Sequence, residues 1–258
     1  MTLQRSGGAA AFSTTAEAYA ETMAPALLPV AKEVVRRAAL QPGEVVLDLG
    51  TGTGNAAGLA AGDGRRVIGL DGAAGMLEIA RREVPDVEFI EADFTRIPLE
   101  EGSIDVVIGV HALLFADDRV AALADWLRVT AAGGRLSLSV PGPGTVVPTA
   151  VFGDVYLRYG LTWGNDYPTG GELAGWAREA GWSDVRTAAD PTAAIPLRDD
   201  EHFRTWLRVG SRGRATGDWS DERREAFARD LMEVAPRDAE GGYRLPFGAL
   251  FLTALKAA

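Results

Sequence analysis

Residues 45–55 read Val-Val-Leu-Asp-Leu-Gly-Thr-Gly-Thr-Gly-Asn, and no other stretch constrains the fold as tightly. An apolar, β-branched run that breaks into alternate glycines just after the Pro42-Gly43 turn predicts a buried strand over Glu44–Leu49 and a helix over Asn55–Ala61. Glycines at such a turn let the backbone take positive φ and approach a ligand. The helix start beyond them offers free N–H groups and the positive end of a dipole. A dinucleotide fingerprint would read G-x-G-x-x-G. Here Asn55 stands where its third glycine belongs, which favours a ligand without a pyrophosphate.

The same alternation continues along the chain. Strands are expected over Arg66–Leu70, Val87–Ala92, Ile104–Val110 and Arg135–Val140, with helices over Ala73–Glu83 and Asp118–Thr130, the last capped by Asp117 or Asp118. This spacing predicts an α/β fold with a parallel sheet and helices on both faces. Before it, disorder is expected up to about Phe12. Tyr19, Met23, Leu27, Val30, Val34 and Val35 then recur at helical spacing, interrupted by Pro25 and Pro29, as two short helices or one kinked one. After Val140 the pattern changes. Pro141-Gly142-Pro143-Gly144 predicts a loop, Ala150–Tyr159 and Gly170–Ala180 helices, and Trp182–Ala188 a sixth strand. Helices over Asp200–Val209 and Asp221–Val234, separated by a flexible Gly-Arg-Gly segment, precede a closing strand over Leu245–Leu255. All six tryptophans lie at or beyond Trp126, which suggests a cofactor half at about residues 40–140 and a substrate half at 141–246, within one domain spanning 1–258.

Charge and composition narrow the partners. A net charge of −10 argues against nucleic acid, whose phosphates need a basic footprint. The absence of cysteine excludes disulfides, thiolate nucleophiles and Cys-ligated zinc, and the two histidines, His111 and His202, are too far apart in sequence for a His-pair motif. No metal site is expected. No apolar run reaches the roughly 20 residues a membrane helix needs, and Met1–Thr15 lacks the apolar stretch of a signal peptide. A cytoplasmic location is the default expectation.

Two carboxylates carry the ligand reading further. Asp71 ends the second strand about 20 residues after Gly50, where it can accept hydrogen bonds from both hydroxyls of a ribose. That role would suit NAD equally well. Asp93 ends the third strand, where it can accept from an adenine amino group, with Phe94 presenting its N–H or its ring and Met76 a polarizable contact on the other face.

Asp-Leu-Gly-Thr-Gly-Thr-Gly (48–54), Gly-Leu-Asp (69–71), Met76-Leu77 with Ala80, Ala92-Asp93-Phe94, Asp-Val-Val (105–107) and Arg128 through Gly133-Gly134 arrive in order and at familiar spacing. As a set they resemble the class I S-adenosylmethionine-dependent methyltransferases, particularly those of ubiquinone and menaquinone biosynthesis and of natural-product pathways. The resemblance covers residues 15–140 well and the remainder in outline. It implies a Rossmann-like, mostly parallel seven-stranded sheet with an antiparallel last strand and a helical lid insertion near the C-terminus. It also implies S-adenosylmethionine as methyl donor and a small molecule as acceptor. By the same resemblance Asp48, Gly50, Thr51, Gly52 and Gly54 would line the methionine end, Asp71 with Gly72 the ribose, and Asp93 with Phe94 the adenine. Tyr19 resembles a tyrosine that closes over the donor. The family often has Ser two residues after the ribose carboxylate; here Ala73 removes that polar contact.

His111 follows the fourth strand, beside the expected position of the reacting methyl, and is a candidate general base or a cofactor contact. Trp163, Tyr167, Phe203, Trp206 and Tyr243 are candidates for an apolar acceptor pocket, with His202 at its edge or solvated. The Arg-rich stretch Arg204–Arg214 reads as a solvated face or as a contact for an anionic acceptor. Two other functions share these motifs: a methyltransferase-like cyclase or non-methylating donor binder, and, less favoured by Asn55, an NAD(P)-dependent oxidoreductase. The acceptor, the methylated atom (O, N or C) and the oligomeric state stay open at this point.

Overall fold

The computed structural model describes residues 2–3, 9–146, 151–163, 167–190 and 194–258. Its centre is an eight-stranded sheet. The strands are β2 (Val45–Leu49), β3 (Arg66–Asp71), β4 (Glu88–Glu91), β5 (Ile104–Val110), β6 (Thr130–Val146), β8 (Ser183–Asp190), β9 (Ala194–Leu197) and β10 (Tyr243–Leu255). The order is β4-β3-β2-β5-β6-β10-β8, with β9 paired to β10. The five strands from β4 to β6 are mutually parallel, and β10 runs antiparallel to β6, β8 and β9. The strand reversal near the C-terminus matches the expectation. The count exceeds it by one because β9 pairs with the first residues of β10. A separate parallel pair joins β1 (Thr2–Leu3) to β7 (Thr162–Trp163).

The central strands are buried on both faces, so their side chains divide between two cores. Val46, Val106 and Ile108 pack with α2 (Ala16–Ala38) and α3 (Asn55–Ala60). Leu47, Leu49 and Val107 pack with α5 (Arg119–Val129) and α7 (Gly170–Glu179). A sheet covered on both sides by helices follows from such two-sided apolar runs. Between β3 and β4 lies α4 (Ala74–Glu83), and Asp118 caps α5 by accepting the Ala121 N–H at 2.9 Å.

Three local expectations give way to tertiary contacts, and one left open, two helices or one around Pro25 and Pro29, resolves to one. The start of the chain is not irregular up to Phe12: Ala9–Thr14 forms α1, which lies on α4. The segment 16–38 is one 23-residue helix despite Pro25 and Pro29, because Leu27, Val30, Ala31 and Val34 bury one face against the sheet. The run beginning at Pro141 continues β6, since β10 pairs alongside it, Ala249 opposite Pro141. The Gly-Arg-Gly segment is helical, forming α9 (Gly210–Thr216). A Cβ on Gly213 would overlap the Arg208 carbonyl, so glycine permits the close backbone approach that folds this segment inward. With α8 (Asp200–Leu207) and α10 (Asp221–Val234), α9 makes the helical insertion between β9 and β10, while α6 (Gly153–Arg158) packs nearby.

Candidate functional site

The carboxyl ends of β2, β3 and β4 open into a cavity of about 1000 Å³ that runs on toward α9 and β10. Ligands of open parallel sheets collect at this edge, where the chain changes direction between neighbouring strands.

At the β2 end, the loop is held from below. Asp48, 1% exposed, accepts the Thr51 hydroxyl at 2.7 Å and the Ala57 N–H at 3.0 Å through Oδ2. Its Oδ1 is sealed from solvent without a partner, and burial raises its pKa to about 7. The glycines of this loop have different tasks. A Cβ on Gly50 would lie 2.5 Å from the Ala112 side chain, so Gly50 lets the loop after β2 meet the loop after β5. Gly52, at φ +55°, has nothing within 4 Å of its missing side chain and leaves a concave space at the cavity wall. Gly54 caps α3 and faces Val84 and Ala80 instead of the cavity.

At the β3 end, Asp71 spans two N–H groups, accepting from Gly52 and from Ala73, each at 2.8 Å. Burial raises its pKa. Each oxygen keeps lone-pair capacity toward the cavity. Asp93, beyond β4, uses Oδ1 to accept the N–H and hydroxyl of Thr95 at 2.8 and 2.7 Å. The Phe94 carbonyl takes the Trp126 indole N–H at 2.8 Å, which fixes this turn to the core. Gly72, Met76, Asp93 and Phe94 all line the cavity.

A cover closes over these strand ends. Phe12 of α1 meets Tyr19 and Phe115 edge-on, with ring centroids 6.2 and 5.3 Å apart. The cover is seated through Gly75: a Cβ there would lie 2.5 Å from the Ser13 carbonyl, and the Gly75 N–H donates to the Ser13 hydroxyl at 3.2 Å. Tyr19 stands between the two acidic strand ends. Desolvation, then the charges of Asp71 and Asp48, push its hydroxyl pKa up, so it remains a neutral donor.

His111 follows β5 with φ +58°, a left-handed conformation held by its N–H donating to the Ser139 carbonyl at 2.9 Å. Its ring meets Phe247 edge-on at 5.3 Å. Nε2 is sealed and without a partner, and burial lowers the imidazole pKa to about 3. The free protein therefore holds His111 neutral, a weaker base than its position alone suggests.

Of the acceptor-pocket candidates, Tyr167 and Trp206 line the cavity. Phe203 and Tyr243 do not: their rings pack on each other at 4.8 Å within the core. His202 is neither solvated nor in the cavity. It is 5% exposed and links Arg198 to Glu21 through its two ring nitrogens. The Trp163 side chain lies outside the described residues. Sequence reading missed Phe12, Met23, Leu27, Ile195 and Phe247, all of which line the cavity, whereas Arg212, which also lines it, falls in the Arg-rich stretch already read as a solvated face or a contact for an anionic acceptor. The missed residues come from four separate elements, and among them only the helical spacing of Met23 and Leu27 gave any signal.

A family model described as a methyltransferase domain matches residues 47–138. The chain is 38% identical over 122 residues to the demethylmenaquinone methyltransferase of Beutenbergia cavernae, a match covering 47% of this chain and 51% of that protein. It is 34% identical over 165 residues to the protein of the same name from Renibacterium salmoninarum, covering 56% and 68% of the two. The chain thus spans about half the length of the first relative and about two thirds of the second. Among solved structures, a Haemonchus contortus phosphoethanolamine N-methyltransferase bound to phosphomonomethylethanolamine and S-adenosylhomocysteine shares the fold. Its TM-score is 0.58 at 18% identity, over 89% of this chain and 53% of that one.

Proposed function

Because this chain belongs to the class I S-adenosylmethionine-dependent methyltransferases, we propose that it methylates a small molecule held in the cavity described above. The observation that carries the reading is the continuity of that cavity from the acidic strand ends to the aromatic wall of Tyr167, Trp206 and Phe247. One space then holds donor and acceptor together, and alignment of the two accounts for much of the barrier reduction.

The residues present fit the donor. Asp48 holds the glycine loop from beneath, and the open space at Gly52 suits a polar, cationic amino-acid group. Asp71, with both oxygens already oriented by backbone N–H groups, suits paired ribose hydroxyls. Asp93 suits an adenine amino group, and Met76 and Phe94 its faces. When bound, S-adenosylmethionine supplies a methyl group already activated by its sulfonium. The chain's own work is then to hold the acceptor in line and to exclude water, which the α1 cover and Tyr19 do from above. His111 offers a neutral imidazole at the junction of the two halves. It orients the acceptor, and it takes up a proton only where the acceptor has one to lose.

The relatives' names denote a quinone-like acceptor, and a flat apolar ring suits this aromatic wall. In this reading residues 1–258 form one domain, with the donor held by about 40–140 and the acceptor by 141–246. Among the described residues no helix is long and apolar enough to cross a membrane, and a cytoplasmic setting accords with a chain free of cysteine. The test is calorimetry with S-adenosylhomocysteine on Asp71→Ala and Asp93→Ala, followed by an acceptor-dependent assay for that product. Affinity should fall by about tenfold or more in each variant, the loss of a charge-assisted contact. Unchanged affinity in both would overturn the site.

A further inference from the structure

The protein is acidic overall, with net charge −10, and the donor end of its cavity is walled by Asp71, Asp93, Asp117 and Asp118. The far end reverses that sign. Arg212 and Arg214 of α9 enter the wall there, beside Trp206 and Val209. Arg212 lies over the Trp206 ring, Cζ 3.9 Å from its centroid, and donates from Nε and Nη2 to the Trp206 carbonyl at 3.3 Å. Those bonds use two of the five guanidinium N–H groups. Among the described residues Nη1 makes no hydrogen bond and no carboxylate lies within ion-pair distance of Arg212. The groups acting on it electrostatically are the Tyr156 and Tyr167 hydroxyls, phenols that carry no charge near neutral pH. The Trp206 indole N–H also lacks an acceptor. This corner is rich in donors and poor in acceptors.

Elsewhere in the same stretch a cation is paired. Arg204 forms a two-pronged pair with Glu225, at 2.9 and 2.6 Å. A desolvated guanidinium without a counter-ion is costly, and its charge persists here, since burial lowers its pKa only to about 10. A planar fork with its outer N–H groups unused matches the two oxygens of a carboxylate. We propose that the methyl acceptor carries a carboxylate, bound by Arg212 at the α9 end of the cavity. This inference rests on the donor site assigned above. It gives the two ends of the cavity complementary tasks: carboxylates for the cationic donor, arginines for an anionic acceptor.

The experiment uses the full chain saturated with S-adenosylhomocysteine and titrates aromatic and medium-chain carboxylates, each beside its neutral carboxamide, such as 2-naphthoate with 2-naphthamide. At least one carboxylate should bind about tenfold tighter than its amide. That preference should vanish in Arg212→Gln and be only partly kept in Arg212→Lys, which retains the charge without the fork. Affinity for S-adenosylhomocysteine should be the same in all three proteins. A merely structural Arg212 would change stability but not the acid-to-amide ratio. If Arg212→Gln does not fold, Arg212→Lys carries the comparison, and an unchanged ratio there counts against the proposal. Equal or absent binding across every pair, or a preference that survives the loss of Arg212, overturns it. Failure of the unmodified chain to bind S-adenosylhomocysteine would instead overturn the donor site.

Discussion

His202 closes a gap that Pro25 opens at Glu21. Within α2 the Glu21 carbonyl would accept from the residue four positions on, but Pro25 has no N–H to give. His202 Nε2 lies 3.2 Å from that carbonyl, while Nδ1 accepts the Arg198 N–H at 3.1 Å. The pairing sets the tautomer: Nε2 carries the proton and donates. The helical insertion is thereby fastened to the helix that runs under the sheet, across 181 residues of sequence.

Replacing His202 by Ala leaves a part-buried carbonyl unpaired, so stability should fall by about 1 kcal/mol in urea unfolding. His202→Gln, with an amide N–H of similar reach, should recover part of it. Affinity for S-adenosylhomocysteine should hold. A variant as stable as the parent would mean that the imidazole clamps nothing.

Asp48 should impose a pH dependence on the donor-free protein. Its folded pKa, about 7, lies above the ordinary carboxylate value. The native chain then holds a proton that the unfolded chain has released, and the stability this contributes is lost as pH rises from about 4 to about 7. Unfolding curves for the parent and Asp48→Asn, compared across that range, should diverge in slope. Parallel curves would show that the buried carboxyl is not the source.

Methyl transfer should show no ionisation near pH 6.5 from His111, because burial holds its pKa near 3. The kcat profile between pH 6 and 8 should keep its shape in His111→Asn while kcat drops, by about 100-fold if orientation is its role. An inflection near 6.5 in the parent that disappears in the variant would assign the imidazole as an ordinary titrating base.

Gly75→Ala tests the cover. The added Cβ would lie 2.5 Å from the Ser13 carbonyl, so α1 must lift away from α4. Affinity for S-adenosylhomocysteine should fall by about tenfold with little loss of global stability, since α1 buries no residue of its own. Unaltered affinity would mean that α1 is not needed to hold the donor.

Much of the proposed donor site is legible in the residues alone. Asp48, Gly52, Asp71 and Asp93 sit where a strand runs directly into a turn, and strand-turn-helix chemistry is local enough to read from a few adjacent residues. The glycines were legible as a class but not in their tasks: Gly50 makes room for Ala112 and Gly54 for Val84, whereas Gly52 alone of the three leaves open space. Trp206 and Phe203 looked equivalent on one helix. Three positions apart on α8, one reaches the cavity and the other packs on Tyr243.

Local pattern specified the alternation of strands and helices up to about residue 140 and the carboxylates at the strand ends, because each depends on neighbours within a few residues. Long-range packing set the rest: Pro141 continues a strand, Arg212 faces the cavity while Arg204 meets Glu225, and His202 answers Glu21. Those outcomes depend on which distant surface a side chain lands against once the apolar faces are buried, and no local pattern of residues encodes that choice.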